Sequence, residues 1–335
     1  MKKILIYSIN RTDDFWKETA DNLEYSTKIV SDIRGKGDFN LVEKYNRLLK
    51  KNSKQSFPTF NVFSVKEVEE IIYRCRLLRN MSHHQARSMV ASMEGAMDSI
   101  LDEFCPDLII SFPIDRYVSD VLRRLGENRN IKFLEITPSI FPGQSMFMSK
   151  GFLVNFKEQN FDESAISNYV SQLSFEEYLP DYVDIKKRFN KFNWFKTFFY
   201  FKLRGIIFLL ISILKRDKFN LHYLDSQSFL AHKPKFNDYK VLNYFESDWE
   251  KVINSSEIKK VIFLPLQLFP EASIDYWVED LNFLNVDEIY LQVIKYFSEK
   301  GYLILVKDHP HQFGFRKEEL FARMNNYKNV IFIPY

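Results

Sequence analysis

Two short stretches near the C-terminus carry residues suited to proton and phosphate chemistry. One is Pro265-Leu-Gln-Leu-Phe-Pro-Glu271; the other is Lys307-Asp-His-Pro310. Glu271 is a candidate general base, because a carboxylate beside cations and apolar walls is tuned by its neighbours. Lys307 and His309 are candidate contacts for phosphate oxygens or for a leaving-group oxygen. Gln267, Asp308, Pro310 and Arg316 complete the candidate ligand-binding set, with His311 and Lys317 adding positive charge nearby. Each stretch also has a plainer reading. Glu271 caps a helix beginning near Ala272, where an acidic side chain suits the helix dipole. Lys307 to Pro310 is then a turn with solvated charges. The two roles of Glu271 are compatible, and the start of that helix is itself a candidate anion site.

The elements around these residues give the stretches their meaning. Apolar runs at 260–266 and 302–306 read as buried strands, and 287–300 between them reads as a helix. Proline cannot extend a strand ladder, so each run must end where its polar residues begin. In open parallel sheets ligands bind outside the carboxyl ends of the strands. The two polar stretches are therefore expected to look into one cleft. A further helix at 317–325 and a strand at 329–333 follow.

The N-terminal half shows the same alternation. Strands are expected at 3–9, 26–31, 108–112 and 131–137, and helices at 13–23, 65–79, 82–104 and 115–125, the last ended by Gly126. Thr12 or Asp13 is the expected cap of the first helix. Asp115 and Arg116, after one strand, and Glu135, Thr137, Ser139 and Gln144, after the next, are candidate acceptor-side residues. His83 and His84 are adjacent on a helix and point in different directions, so no metal site is expected there. No dinucleotide, phosphate-loop, Ser-His-Asp or Cys-His pattern is legible.

Between the halves, 161–243 is aromatic, charged and mostly helical. Its most apolar stretch, 198–214, carries Lys202, Arg204 and Gly205 and is followed by Lys215, Arg216 and Lys218. It is shorter than the ~20 apolar residues of a membrane span. Two readings stay open: a helix buried between domains, or a basic aromatic helix, 198–218, lying on the inner leaflet.

Composition bounds the rest. The chain has 335 residues, 46% hydrophobic and 27% charged, which suggests a folded protein of two domains. A formal charge of +3 gives no support for nucleic-acid binding. Aromatics are abundant, with 33 Phe. Cys75 and Cys105 show no metal spacing and read as buried small apolar side chains in a reducing compartment. The apolar run at the N-terminus is too short for a signal peptide, so cytoplasmic residence is expected, peripheral on the inner membrane face if the basic helix binds there.

The segments Leu-Pro-Leu-Gln followed by Pro-Glu-Ala-Ser-Ile-Asp, and Val-Lys-Asp-His-Pro, resemble the bacterial capsule and surface polysaccharide biosynthesis proteins, a family that includes Kdo transferases of the GT-B fold. The resemblance covers 261–335. It implies that His309 with Pro310 contacts the nucleotide phosphate, that Lys307 assists, and that Gln267 and Glu271 match the family's glutamine and acidic pair. Relatives continue with a strand and a Ser/Thr-Gly-Glu turn that helps hold the donor, and this sequence stops before it.

The resulting expectation is an α/β, GT-B-like protein: two Rossmann-like domains whose parallel sheets face a cleft, the C-terminal one incomplete. The domains are expected at 1–160 (acceptor side) and 244–335 (nucleotide-sugar side), joined by 161–243. The expected activity moves a sugar from a CMP- or UDP-activated donor onto a surface polysaccharide or its lipid-linked precursor. Glu271 and His309 are the catalytic candidates, with Lys307 and His309 neutralising charge in place of a metal; no cofactor is expected. The alternatives are a sugar-nucleotide epimerase on the same fold and a non-catalytic component of capsule assembly or export.

Overall fold

The computed structural model describes residues 2–9, 12–139, 145–154, 163–173, 189–214, 234–258, 260–269 and 271–334. The chain divides into two compact units, Met1–Lys187 with Phe219–Asp225, and Arg188–Lys218 with Ser226–Tyr335. The connecting region expected at 161–243 is therefore shared between the units.

The first unit runs β1 (Lys3–Ser8), α1 (Asp13–Asp21), β2 (Ser26–Ser31), α2 (Leu41–Asn52), α3 (Val65–Arg74), α4 (His83–Phe104), β3 (Leu108–Ser111), α5 (Tyr117–Asn128), β4 (Lys132–Pro138), β5 (Ser145–Ser149), β6 (Phe152–Leu153) and α6 (Glu163–Leu173). The sheet order is β2-β1-β3-β4-β5-β6. The first four strands are parallel; β5 and β6 add antiparallel at one edge. Strand order reverses between β1 and β3, the arrangement of a doubly wound sheet. Both faces are covered, which is why the parallel strands read as continuous apolar runs. On one face Ile4, Ile6, Ile29 and Ile110 pack around Trp16 of α1. On the other, Ile109 meets α5 at Gly126, where an added Cβ would sit 3.0 Å from Ile109 Cδ1.

That contact explains one departure from expectation. Gly126 does not end α5, which runs on to Asn128; it lets the helix approach the sheet. Helix starts follow sequence chemistry more closely. Ser64 and Glu67 form a reciprocal capping box on α3, and Ser82 caps α4 by accepting from Gln85 N. Thr12 precedes α1 but makes no side-chain cap; its hydroxyl donates to Ile9 O at 2.6 Å and fixes the loop after β1. α2 was not anticipated, although Leu41, Val42, Tyr45 and Leu49 are buried at helical spacing. Cys75 is buried as expected, but Cys105 is exposed. It closes α4 in the left-handed conformation, φ 51, which turns its thiol away from the core.

The second unit contains α7 (Lys191–Leu214), a 3₁₀ turn (Phe236–Asn243), α8 (Trp249–Ser255), β7 (Val261–Pro265), α9 (Ala272–Asp275), α10 (Val286–Glu299), β8 (Leu303–Lys307), α11 (Glu318–Asn325) and β9 (Val330–Ile333). The three strands are parallel in the order β7-β8-β9. Ile304, Val306 and Phe332 face Tyr290, Leu291 and Ile294 of α10 and Phe321 and Met324 of α11. Leu303, Leu305 and Ile333 face Trp249 and Ile253 of α8. Each fully buried side chain of this size stabilises the fold by roughly 2 kcal/mol. Much of the aromatic content collects beside the sheet: Trp194 stacks on Phe198 at 5.3 Å, and Phe201 meets Phe315 edge-on at 4.5 Å. Among the described residues no helix is long and apolar enough to cross a membrane.

Candidate functional site

In the second unit the register pairs Pro265 with Lys307 and Lys307 with Ile333. The three strands therefore finish level, and the chain beyond β7 and β8 leaves the sheet at one end. Leu266 N still bonds Lys307 O at 2.8 Å, so the two exits begin side by side.

A buried ion pair fastens them. Arg316 and Asp308 are both almost wholly shielded from solvent. Asp308 Oδ1 accepts from Arg316 Nε at 3.2 Å and Nη2 at 2.7 Å, and also from His309 N at 2.8 Å. Arg316 Nη2 donates in addition to Gln267 O at 2.8 Å. One guanidinium thus ties the β8 exit to the β7 exit. Two more bonds brace the same loops. Gln267 N donates to Tyr290 Oη at 2.8 Å, and the Gln312 amide pairs with both backbone groups of Phe269, at 3.0 and 2.9 Å. Asp308 and Arg316, expected as donor contacts, are buried and bond each other and the loop backbone.

What this bracing leaves outward is a smaller set. Gln267, Glu271 and Pro310 are exposed; Lys307 and His309 are half-buried. Glu271 Oε2 accepts from Ser273 Oγ at 2.9 Å, and Lys307 has no ion pair among the described residues. Among the described residues neither side chain is paired with an opposite charge, and both lie at the strand exits. The helix that Glu271 opens, α9, is a single turn with no side-chain cap. It is too short to act as the anion site expected at its N-terminus, because the helix dipole grows with aligned peptides.

His309 has one ring nitrogen engaged within its own loop. His311 N donates to His309 Nδ1 at 3.1 Å. That bond requires a lone pair on Nδ1, so the neutral ring carries its proton on Nε2. Burial pushes the imidazole below its ordinary pKa and the neighbouring His311 adds to this; Asp308 and Glu271 pull the other way. With Nδ1 so occupied, the ring presents its Nε2–H outward as a donor, and Lys307 stands beside it as the cation of the pair.

The acceptor-side candidates lie at strand exits of the first unit and serve its own framework. Arg116 is buried, bonding Asp32 Oδ2 at 3.1 Å and Asp115 Oδ1 at 2.9 Å. Arg76 holds the Asp115 carbonyl at 2.7 Å. Glu135 is fully buried and accepts from Lys150 N at 2.7 Å and Ile114 N at 3.3 Å, its carboxyl pushed up by burial. Thr137 and Ser139 are half-buried; Gln144 lies outside the described residues. Asp32 was missed, although it directly follows the strand that ends at Ser31. Arg76, Tyr290 and Gln312 were missed as well; none stands at a strand exit, so no sequence signal marked them. His83 bonds Glu69 at 2.8 Å and His84 the Gln55 carbonyl at 2.7 Å. Among the described residues no cluster of three or more His, Cys, Asp or Glu could hold a metal ion.

The fold and the residues at its strand exits define a parallel α/β protein with a braced polar site in its second unit. No family model matches the chain, and no curated protein matches it. Among solved structures, a UDP-GlcNAc 2-epimerase from Neisseria meningitidis bound to UDP-GlcNAc matches over 100% of this chain and 72% of that one. The identity is 10% and the TM-score 0.24. A likeness of that size decides neither the fold nor the chemistry of this chain.

Proposed function

We propose that this chain is a GT-B-type glycosyltransferase of the capsule and surface polysaccharide class, moving a sugar from a CMP- or UDP-activated donor to a glycan or lipid-linked acceptor. The observation that carries the reading is the Arg316 bridge. It braces two parallel-strand exits so that Lys307, an imidazole donor and Glu271 sit at one end of one sheet, neither charge paired with an opposite one among the described residues. In this reading Lys307 and the His309 Nε2–H meet the nucleotide phosphates, where ammonium and imidazole donors stabilise the charge that develops on the leaving group. The Gln267 side chain contacts the donor. Glu271 takes the proton of the acceptor hydroxyl as it attacks the anomeric carbon and the sugar–phosphate bond breaks.

The test is thermal-shift binding with CMP, CDP, UDP, GDP and ADP, on the native chain and on His309→Ala. A ligand that binds only the folded state raises the midpoint by mass action. A rise with a cytidine or uridine nucleotide, lost in His309→Ala, is expected. Donor turnover then requires acceptor and falls at least 100-fold in Glu271→Gln, where 100-fold is about the lower end of the range for a lost general base. Conversion of the donor without acceptor would instead mark an epimerase. Unchanged function in both variants would mark a non-catalytic component.

A further inference from the structure

Helix α7 is apolar on two opposite sides. One side belongs to the second unit: Trp194 and Phe198 are buried with Phe313. The other is open to solvent, with Phe199, Leu203, Ile206, Ile207, Leu210 and Leu214 all exposed. At about 100° per residue these six fall within an arc of roughly 100°, a stripe about 24 Å long. Every charged residue of α7 is basic: Lys191, Lys196, Lys202 and Arg204. Lys196 lies in line with the stripe, while Lys202 and Arg204 flank it on opposite sides. Their heads rest over the rings of Phe198, at 5.3 Å, and Phe201, at 5.9 Å.

We propose that α7 is a membrane-surface helix, its stripe seated at the acyl boundary of an anionic bilayer and Lys196, Lys202 and Arg204 among the phosphates. An apolar stripe bordered by cations matches that interface in both polarity and charge. A second copy of the chain matches it poorly, because two such helices face to face bring only like charges together. The inference stands apart from the sugar-transfer reading and does not need it.

The test is co-sedimentation of the full chain with vesicles of phosphatidylcholine alone or mixed with phosphatidylglycerol. Sedimentation with the anionic vesicles only, weakened by salt, is expected. Ile207→Glu/Leu210→Glu abolishes it. Lys196→Gln/Lys202→Gln/Arg204→Gln weakens it on the order of 100-fold, at about fivefold per cation. Lys196, Lys202, Ile207 and Leu210 are exposed and Arg204 is half-buried, so the thermal midpoint of each variant is measured beside its binding, and Lys196→Gln/Lys202→Gln, with only exposed positions changed, repeats the charge test at about 25-fold. Native protein left in the supernatant with anionic vesicles overturns the proposal, as does full binding by the charge variant. A native dimer that Ile207→Glu/Leu210→Glu converts to monomer, without vesicle binding, also overturns it and makes the stripe a self-association surface.

Discussion

Removing the Asp308 carboxylate tests whether the Arg316 bridge organises the second unit. In Asp308→Ala the guanidinium of Arg316 stays buried with Gln267 O but loses two bonds to Oδ1, and His309 N loses its acceptor. Breaking one side of a buried ion pair costs ~3–5 kcal/mol, and an orphaned buried N–H ~1–3 kcal/mol. With part of the guanidinium still bonded, the loss is placed at ~4 kcal/mol. Arg316→Met leaves a buried carboxylate that keeps His309 N, and costs ~3 kcal/mol. Replacing both sides by apolar groups removes the stranded charge, so Asp308→Ala/Arg316→Met costs no more than ~4 kcal/mol, a coupling of at least ~3 kcal/mol. Urea unfolding followed by tryptophan fluorescence reads this directly. Trp194, Trp249 and Trp277 lie in the second unit and Trp16 in the first. The thermal midpoint of the second unit falls by roughly 10 °C in Asp308→Ala. Single variants within ~1 kcal/mol of native, or strictly additive losses, would refute the bridge as the organising contact.

The remaining predictions concern titration and backbone. Nitrogen-detected NMR of the free protein finds His309 as the Nε2–H tautomer with a midpoint below the ordinary 6.5. Folding favours the neutral ring, so its contribution to stability is complete above 6.5 and is lost as pH falls from there through the lower folded value. An Nδ1–H tautomer would sink the assignment. Burial pushes the Glu70 carboxyl up, but Arg124 and Arg74 outweigh it and hold its pKa at about 2. Its stabilisation is present above the ordinary 4.5 and is lost as pH falls from 4.5 towards 2. Glu70→Gln therefore flattens the acid limb of a stability-against-pH curve measured by urea unfolding. Gly35 and Gly37 both have positive φ, but only at Gly37 would a Cβ meet backbone, 2.8 Å from Ile29 O. Gly35→Ala costs ~1 kcal/mol and Gly37→Ala at least ~2 kcal/mol more, as backbone must move. Equal losses in the two denaturant midpoints would contradict this.

The alternation of strands and helices was legible because burial on both faces writes long apolar runs into β1, β3 and β8. α2 was overlooked because its four buried positions lie among charged ones, and β5 and β6 because neither is buried and the second is only two residues long. The end of α5 was misplaced at Gly126, since a glycine that ends a helix and one that admits a neighbouring strand look alike until Ile109 is in place. The strand-exit residues Gln267, Glu271, Lys307 and His309 could be picked out, because proline and a change of polarity mark where a buried strand must stop.

The division of labour among those residues could not be picked out. By itself the sequence determined the α/β class and the residues at the ends of β7 and β8, because periodicity, proline and charge are local properties. Only the tertiary structure decided that Asp308 and Arg316 are internal bracing, that His309 engages Nδ1 within its own loop, and that α7 shows apolar side chains to solvent. Those outcomes depend on distance and burial between residues far apart in the chain, such as Arg316 with Gln267 and Trp194 with Phe313, and a linear pattern carries neither.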